Sequence, residues 1–250
     1  KDNKNAKKID SLNIDIMFDK VSFKYEEKYI FKDLNFKINK GDFIGIAGQT
    51  GVGKTTLIKL LLRFYNTESG TIKFGNLNIN DIELTSLRTK IGLVNQEIFL
   101  FDGLIKNNIC YPNKEPIQNS ILRAASDSQS LEFIEKLSNG FDTLLGERGQ
   151  KLSVGQKQRL GIARAIYRKA EILIFDEATS ALDSITENEV LETFNHLKGT
   201  ATTITIAHRV QTLKSVDEIW VLNKGKIEAK GSYEELRLQS DLFKRLGGLS

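Results

Sequence analysis

The alternation of apolar and polar residues along the chain predicts two kinds of strand. Short, almost wholly apolar runs are typical of parallel strands buried on both faces; they lie at 43–47, 91–95, 172–175 and 202–207. The stretches at about 12–40 and 70–80 instead predict an antiparallel β lobe, and residues 218–223 and 226–229 around Gly225 predict a β-hairpin.

Apolar residues at helical spacing predict helices between these strands. The first helix follows the strand at 43–47 and carries Leu57, Leu60, Leu61 and Phe64. A helix-rich middle at about 101–165 predicts a helical lobe, and 233–246 predicts one terminal helix. Strands that alternate with helices predict an α/β fold, here one domain with lobes.

Composition narrows the class of protein. The chain has 250 residues, of which 40% are hydrophobic and 27% charged, as in an ordinary soluble domain. The net charge of +4 is spread along the chain, so a mixed-charge surface is favoured over a nucleic-acid partner. Cys110 is the only cysteine, which excludes an intramolecular disulfide and favours a reducing compartment. We interpret Cys110 and Trp220 as packing residues.

The beginning of the chain differs from the rest. Residues 1–11 are polar and without periodicity, and the first residue is Lys rather than Met. We interpret them as a linker in a fragment of a longer chain, so that the folded domain covers 12–250. The sequence has no apolar run of about 18 residues that would span a bilayer, and no signal peptide.

The strand at 43–47 leads into a glycine-rich phosphate loop. It matches G-x-x-x-x-G-K-[ST] and comprises Gly48, Gln49, Thr50, Gly51, Val52, Gly53, Lys54 and Thr55. Glycines let backbone N–H groups close around phosphate oxygens, and the helix that follows adds a favourable dipole. Lys54 can reach the β- and γ-phosphates, the Thr55 hydroxyl can ligate Mg²⁺, and Thr56 completes the predicted nucleotide contacts.

Two acids end the apolar run at 172–175. Asp176 is placed to hold Mg²⁺ beside the phosphate loop, and Glu177 to polarise an attacking water. Two acids after a strand are more often a helix N-cap, but together with Lys54 and Thr55 they favour a nucleotide site. His208 ends another predicted sheet strand and is assigned a γ-phosphate contact, whereas His196 is interpreted as a helix-surface residue.

Several motifs follow one another in a fixed order. They are GQTGVGKT (48–55), NQE (95–97), LSVGQ (152–156), ILIFDE (172–177), SALD (180–183) and AHR (207–209). From about Ile14 to about Leu246 the chain resembles the nucleotide-binding domain of ABC transporters. The resemblance implies a P-loop NTPase (RecA-like) core with an antiparallel β lobe and an α-helical signature lobe, and it implies ATP and Mg²⁺ as ligands.

The resemblance also implies roles for single residues. Tyr25 resembles the aromatic residue that stacks on adenine, and Gln96 the residue that senses Mg²⁺ and the attacking water. Glu177 resembles the catalytic base, Asp183 the acid that couples two sites, and His208 the switch histidine. Thr55, Gln96 and Asp176 are the implied metal ligands, and Lys54 joins the catalytic set.

The family builds each site from two domains, which implies a second nucleotide-binding domain as a head-to-tail partner, either a second copy or the domain of a different half-transporter. Ser153, Gly155 and Gln156 would contact the γ-phosphate that the other subunit binds. ATP binding and dimerisation are then linked, so ATP should shift the monomer–dimer equilibrium. Val154 departs from the glycine usual in the family. As a first-turn residue after an N-capping Ser153 it needs only a negative φ, which Val can adopt, so we interpret this as a working motif with one tolerant position.

The stretches at 101–109, 140–150 and 152–165 resemble the exporter branch. Those at 61–79 and 175–184 most resemble multidrug-resistance, heavy-metal-tolerance and mitochondrial half-transporters. This implies a transmembrane domain before Lys1 and a position on the cytoplasmic (or equivalent ATP-containing) face of a membrane. Two alternatives stay open. An importer ATPase subunit is disfavoured by the GERG loop at 146–149, and a soluble ABC ATPase by the lack of a second domain or inserted coiled coil.

Overall fold

Two β-sheets with helices packed around them make up the fold in the computed structural model, which describes residues 2–3, 6–178, 184–207 and 209–248. The strands are β1 (Ile16–Tyr25), β2 (Lys28–Ile38), β3 (Phe43–Ala47), β4 (Ser69–Phe74), β5 (Leu77–Asn78), β6 (Ile91–Asn95), β7 (Ile172–Asp176), β8 (Thr202–Ile206), β9 (Glu218–Asn223) and β10 (Lys226–Gly231). The helices are α1 (Lys54–Leu61), α2 (Leu84–Lys90), α3 (Ile105–Cys110), α4 (Gln118–Asp127), α5 (Leu131–Glu135), α6 (Val154–Tyr167), α7 (Ser184–Leu197), α8 (Tyr233–Gln239) and α9 (Asp241–Gly247).

The smaller sheet is the antiparallel β lobe that the sequence predicts. Its strand order is β2-β1-β4-β5, and β1 pairs with both β2 and β4. Buried residues alternate with exposed ones in the second half of β2, because one face packs on the core and the other meets solvent. Phe18 stacks on Phe36, and Phe36 packs against Trp220 of the larger sheet, so both sheets share one core.

The larger sheet has the order β10-β9-β3-β8-β7-β6. Strands β9, β3, β8, β7 and β6 run parallel, and β10 is antiparallel to β9. The four predicted core strands are confirmed, and β3 and β8 are buried at every position. The sequence predicts the β9–β10 hairpin but not its place, which is in this sheet beside β3.

The helical lobe contains α3, α4, α5 and α6 around an apolar cluster of its own. Leu160, Ala163 and Tyr167 of α6 are buried in that cluster, as the helical spacing predicts. Cys110 lies in the same cluster and Trp220 is also buried, which confirms both as packing residues. His196 is exposed on α7, again as predicted.

The prediction of one terminal helix at 233–246 is wrong, because the chain forms α8 and α9 with a break at Ser240. Ser240 has extended backbone angles, and its hydroxyl accepts a hydrogen bond from the N–H of Phe243. A serine that caps a helix competes with continuation of the preceding helix. Its single polar side chain therefore divides an otherwise continuous helical pattern.

The segment before β1 lies against the core. Lys7 forms a parallel bridge with Ile82, and the Ser86 hydroxyl bonds to both the N–H and the carbonyl of Ile9. Glu171, just before β7, accepts hydrogen bonds from the Ser11 hydroxyl and the Leu12 N–H. The described part of this segment is thus tied to the rest of the fold by hydrogen bonds despite its polar composition. Among the described residues, no helix is long and apolar enough to cross a bilayer.

Candidate nucleotide-binding site

The phosphate loop joins the end of β3 to the beginning of α1. Because β3 is paired on one side with β8 and on the other with β9, the loop starts from an internal strand of the sheet. Leu57, Ile58, Leu60 and Leu61 bury one face of α1 in the core. A fixed strand and a packed helix therefore set the position of the loop between them.

Two glycines of the loop are required by its geometry. Gly53 has a φ of 113°, and a Cβ there would lie 2.7 Å from Ile30 Cγ2 and 2.8 Å from Phe31 Cζ. A Cβ at Gly48 would lie 2.6 Å from the Leu222 carbonyl oxygen. L-residues rarely adopt the first conformation, and neither position has room for a side chain. The loop can therefore pass close under β2 and β9 only because these residues are glycines.

Lys54 lies inside the loop. Its Nζ donates to the carbonyl oxygens of Gly48, at 2.7 Å, and Gln49, at 3.2 Å, and the residue is only 5% exposed. Burial lowers the pKa of Lys54, and the negative charges of Glu177 and Asp176 partly oppose this shift. The ammonium group thus lies where phosphate oxygens can replace two carbonyl partners.

The two acids lie at the end of β7, as predicted. Asp176 is opposite Asn95 of β6 and Ile206 of β8 in the sheet register. Glu177 has a positive φ of 56°, and its N–H donates to the Ile206 carbonyl at 3.0 Å. Non-glycine residues in this region are uncommon and concentrate at functional sites. The backbone turn at Glu177 leaves its side chain facing the cleft beside the phosphate loop.

That cleft has a volume of about 310 Å³. It is lined by Tyr25, Ile30, Thr50, Gly51, Gly53, Lys54, Thr55, Thr56, Lys59 and Glu177. The sequence predicts all of these as site residues except Ile30 and Lys59. Lys59 lies on α1 and Ile30 on β2, and neither belongs to a motif, so only the fold brings them to the cleft.

Tyr25 also lines the cleft. It is the last residue of β1, and its hydroxyl lies 3.5 Å from the Thr56 hydroxyl. The rings of Phe23 and Tyr65 meet the Tyr25 ring at interplanar angles of 88° and 90°. Sequence reasoning singles out Tyr25 but misses Tyr65, which no motif marks.

Gln96 lies beyond the end of β6 and lines a second cleft of about 490 Å³. Glu97, Phe99, Arg148, Val154 and Gln158 also line it. The amide of the buried Gln158 donates to the carbonyl oxygens of Asn95, at 3.3 Å, and Gln96, at 2.7 Å. A side chain of α6 thus holds the backbone that carries Gln96. Gln96 therefore lines a different cleft from Lys54 and Glu177.

The beginning of α6 has the predicted cap. The Ser153 hydroxyl accepts from the N–H of Gln156, and the Gln156 side chain accepts from the N–H of Ser153. This reciprocal capping box occupies the Gln156 side chain, which the sequence assigns to nucleotide binding. Val154 has a negative φ and is 46% exposed, whereas Gly155 is buried. Ser153 and Gly155 are not among the residues that line the cleft around Lys54.

Comparison with known proteins agrees with this geometry. The family described as ABC transporter matches residues 31–180, more than half of the chain. This chain belongs to the ABC transporter family.

Individual members of the ABC family resemble the chain closely. The ATP-dependent lipid A-core flippase of Desulfotalea psychrophila is 46% identical over 221 residues, which cover 88% of this chain and 39% of that protein. ABC transporter B family member 21 of Arabidopsis thaliana is 40% identical over 234 residues, 92% of this chain and 18% of that protein. The chain therefore spans less than half the length of these relatives.

A solved structure extends the likeness to the fold. The structure of a bacterial Atm1-family ABC exporter with ATP bound has a TM-score of 0.90 and 37% identity to this chain, over 99% of this chain and 44% of that one. The chain is thus a nucleotide-binding domain of the ABC exporter type, and ATP binding and hydrolysis are the activities of such a domain. The α/β P-loop fold predicted from the sequence is confirmed.

Two predicted ABC motif residues, Asp183 and His208, lie outside the described residues. For Mg²⁺, Thr55 and Asp176 supply a hydroxyl and a carboxylate next to the lysine of the loop. Among the described residues there is no group of three or more His, Cys, Asp or Glu that could hold a metal. One carboxylate is sufficient here, because Mg²⁺ is usually bound by one or two carboxylates together with waters and substrate phosphates.

Proposed function

We propose that this chain binds Mg²⁺-ATP in the cleft around Lys54 and hydrolyses it with Glu177 as general base. Two copies, paired head to tail, would drive transport by a membrane exporter. The observation that carries the proposal is that one 310 Å³ cleft holds Tyr25, Lys54, Thr55 and Glu177, contributed by three separate parts of the sequence.

The size and lining of the cleft suit a nucleoside triphosphate. At one end the ring of Tyr25 offers a stacking surface for adenine, worth about 1–3 kcal/mol by analogy with other base–aromatic contacts. At the other end the backbone N–H groups of the loop and the beginning of α1 favour phosphate. Lys54 would exchange its two carbonyl partners for oxygens of the β- and γ-phosphates.

Glu177 is the base that the geometry supports. Its carboxylate accepts a proton from water as the water oxygen attacks the γ-phosphorus. The bond from that phosphorus to the β,γ-bridging oxygen breaks, and ADP and phosphate are released. Lys54 lies beside Glu177 and Asp176, whose charges partly oppose the lowering of its pKa by burial. Its positive charge stabilises the negative charge on the transferred group.

Mg²⁺ would be held by Thr55, Asp176 and Gln96, and when bound it neutralises charge on the phosphates. Thr55 and Asp176 come from α1 and β7, which the core packs together. Gln96 follows Asn95, the register partner of Asp176. The amide of Gln158 holds the carbonyl of Gln96, which links α6 to the backbone of the proposed metal ligand.

The proposal that two copies pair rests on the motif LSVGQ at 152–156. Ser153 and Gly155 lie at the beginning of α6, apart from the cleft around Lys54. The exposed first turn of a long helix can accept an anion, and the γ-phosphate held by a second copy supplies one. By their motifs, Asp183 would couple the two sites across this interface and His208 would contact the γ-phosphate. We assign the pair to the cytoplasmic or equivalent ATP-containing face of the membrane.

Exporter function rests on the relatives. The relatives described above are a flippase, a B-family transporter and an Atm1-family exporter, each longer than this chain. We propose that residues 1–11 connect a transmembrane domain to the ATPase domain at 12–250. These relatives favour an exporter over an importer subunit or a soluble ATPase.

The test of the assigned chemistry is Glu177→Gln. The variant keeps the size and hydrogen bonding of the side chain but loses the base, so we expect turnover to fall by about 100-fold or more while ATP still binds. Size-exclusion chromatography with ATP should then show a trapped dimer. Hydrolysis at the wild-type rate would show that Glu177 is not the base.

A further inference from the structure

The ring of Tyr65 packs at a right angle to the ring of Tyr25, the residue proposed to stack on adenine. The centroids of the Tyr25 and Tyr65 rings are 5.3 Å apart at an interplanar angle of 90°, and Phe23 meets both rings, at 4.9 and 5.5 Å. Edge-to-face pairs of this kind are favourable because the positive edge of one ring meets the negative face of the other. The contacts with Phe23 and Tyr65 thus favour one orientation of the Tyr25 ring.

The backbone that carries Tyr65 is itself held in place. It follows α1, where the N–H of Phe64 donates to the Lys59 carbonyl at 2.8 Å. Arg88 of α2 donates to the carbonyl oxygens of Leu62, at 3.0 Å, and Arg63, at 3.2 Å, and its guanidinium lies over the Phe64 ring. The position of Tyr65 is therefore fixed relative to the phosphate-loop helix.

Tyr25 lies at the end of a strand. Tyr25 ends β1, pairs with Lys28, and precedes the two-residue turn at Glu26 and Glu27. At a strand end, the ring orientation depends on side-chain packing more than on the strand. Tyr65 is 42% exposed, so core packing is not its main contribution.

We propose that Tyr65 is a positioning residue for nucleotide binding. It ties the Tyr25 ring to the end of α1, so that the surface for the base and the cradle for the phosphates keep a fixed spacing. This inference rests on the proposed function, because it assumes that Tyr25 stacks on the base. It adds that the affinity for the base depends on a residue that does not touch the nucleotide.

The test compares a ligand that has a base with one that has none. Calorimetric titration of the 250-residue chain with Mg²⁺-ADP and with Mg²⁺-triphosphate separates the two halves of the site. For Tyr65→Ala we expect the Kd for ADP to rise by about twofold to tenfold, with the Kd for inorganic triphosphate unchanged. KM for ATP should rise by a similar factor while kcat is kept, as for the loss of uniform binding.

Three control variants accompany Tyr65→Ala. Tyr65→Phe keeps the ring and should bind ADP as the wild type does. Tyr29→Ala removes a ring of equal exposure, 43%, from the same lobe, and no ring contact joins Tyr29 to Tyr25 in the described chain, so ADP binding should be unchanged. In a Tyr25→Ala background, Tyr65→Ala should have no further effect, because the two act through one contact.

The outcomes of these titrations distinguish failure of the positioning role of Tyr65 from failure of the proposed adenine site at Tyr25. If Tyr25→Ala weakens ADP binding and Tyr65→Ala does not, the positioning role is wrong and the stacking role stands. If Tyr65→Ala weakens ADP and triphosphate equally, the residue supports the fold in general and the proposal is also wrong. If Tyr25→Ala itself leaves the Kd for ADP unchanged, the assigned adenine site fails, and this inference fails with it.

Discussion

Adjacent residues of the motif LSVGQ face different surroundings. Val154 is exposed and lines the cleft of Gln96, whereas Gly155 is buried in the first turn of α6. The backbone of the first turn is helical at both positions, so a β-branched residue is tolerated at the outer one at a small propensity cost. The departure from the family glycine is therefore compatible with a working site.

The first prediction contrasts these two positions. Val154→Gly should change the rate of ATP hydrolysis by less than about threefold, because its propensity cost is only a few tenths of a kcal/mol. Gly155→Asp should lower the rate by about 100-fold, since it places negative charge where the γ-phosphate of the partner approaches. Steady-state ATPase rates of the two variants check this. A severe loss from Val154→Gly would assign the contact to the wrong residue.

At the scale of single residues, the sequence predicts most residues that line the cleft around Lys54. A phosphate loop is a local pattern, and its glycines are needed where a side chain would not fit. Gly53 and Gly48 confirm this, since one has φ at 113° and the other lies against the Leu222 carbonyl. Tyr65, Ile30 and Lys59 could not be predicted in this way. Ile30 reaches the cleft, and Tyr65 the Tyr25 ring, through contacts between separate segments. Lys59 lies on α1 beyond the residues that the loop motif specifies.

Among the elements, the segment before β1 shows how charge joins separate parts of the fold. Glu171 accepts hydrogen bonds from Ser11 and Leu12 and pairs with Lys90, at 2.9 Å, at the end of α2. Burial raises the pKa of Glu171. The charge and hydrogen bond of Lys90 lower it, as do the hydrogen bonds from Ser11 and Leu12. The lowering effects are larger together, so the pKa lies below its ordinary value of 4.5.

This pairing predicts a pH-dependent contribution to stability. A depressed carboxyl pKa stabilises the native state above the unfolded pKa, and the contribution is lost as the pH falls through the lower folded pKa. Glu171→Gln should therefore lower the free energy of unfolding by about 1 kcal/mol at pH 7. Urea denaturation at pH 7 and at about pH 3 should show that the difference from wild type shrinks in acid.

Glu132→Gln is the matched control for this variant. Glu132 pairs with Lys136 on an exposed helix face, with 81% of its own side chain accessible. Surface pairs of this kind contribute little, so the free energy of unfolding should stay close to wild type. Equal losses from the two variants would contradict the special role of Glu171.

The elements also show where a hydrophobic pattern is sufficient and where it is not. It predicts the four core strands and the β lobe, because burial alone decides their type. It does not place β9 beside β3, since strand order depends on which apolar surfaces meet after folding. It also misses the break between α8 and α9, because the break depends on one capping serine rather than on the periodicity.

For the whole molecule, the division of motifs between two places predicts that one active site needs two chains. Lys54→Ala should lose nucleotide binding at its own loop while keeping Ser153 and Gly155, and Gly155→Asp should do the reverse. Each variant alone should therefore hydrolyse ATP slowly. A mixture of the two can form one site with an intact loop and an intact α6 terminus.

We expect the mixture to recover a substantial part of one site's activity, and we expect the wild-type rate per chain to rise with protein concentration. Coupled-enzyme ATPase assays over a range of concentrations and mixing ratios measure both. A rate per chain that does not depend on concentration, with no recovery on mixing, would show that each chain works alone.

The internal position of β3 in the larger sheet affects how fast its amide protons exchange with deuterium. With β8 and β9 on its two sides and every residue buried, β3 has no free edge from which it could open locally. Its amide protons should exchange with deuterium only when the whole domain unfolds. Nucleotide enters and leaves through the open side of the cleft, so many cycles of binding and release can pass while the strand beneath the phosphate loop never opens.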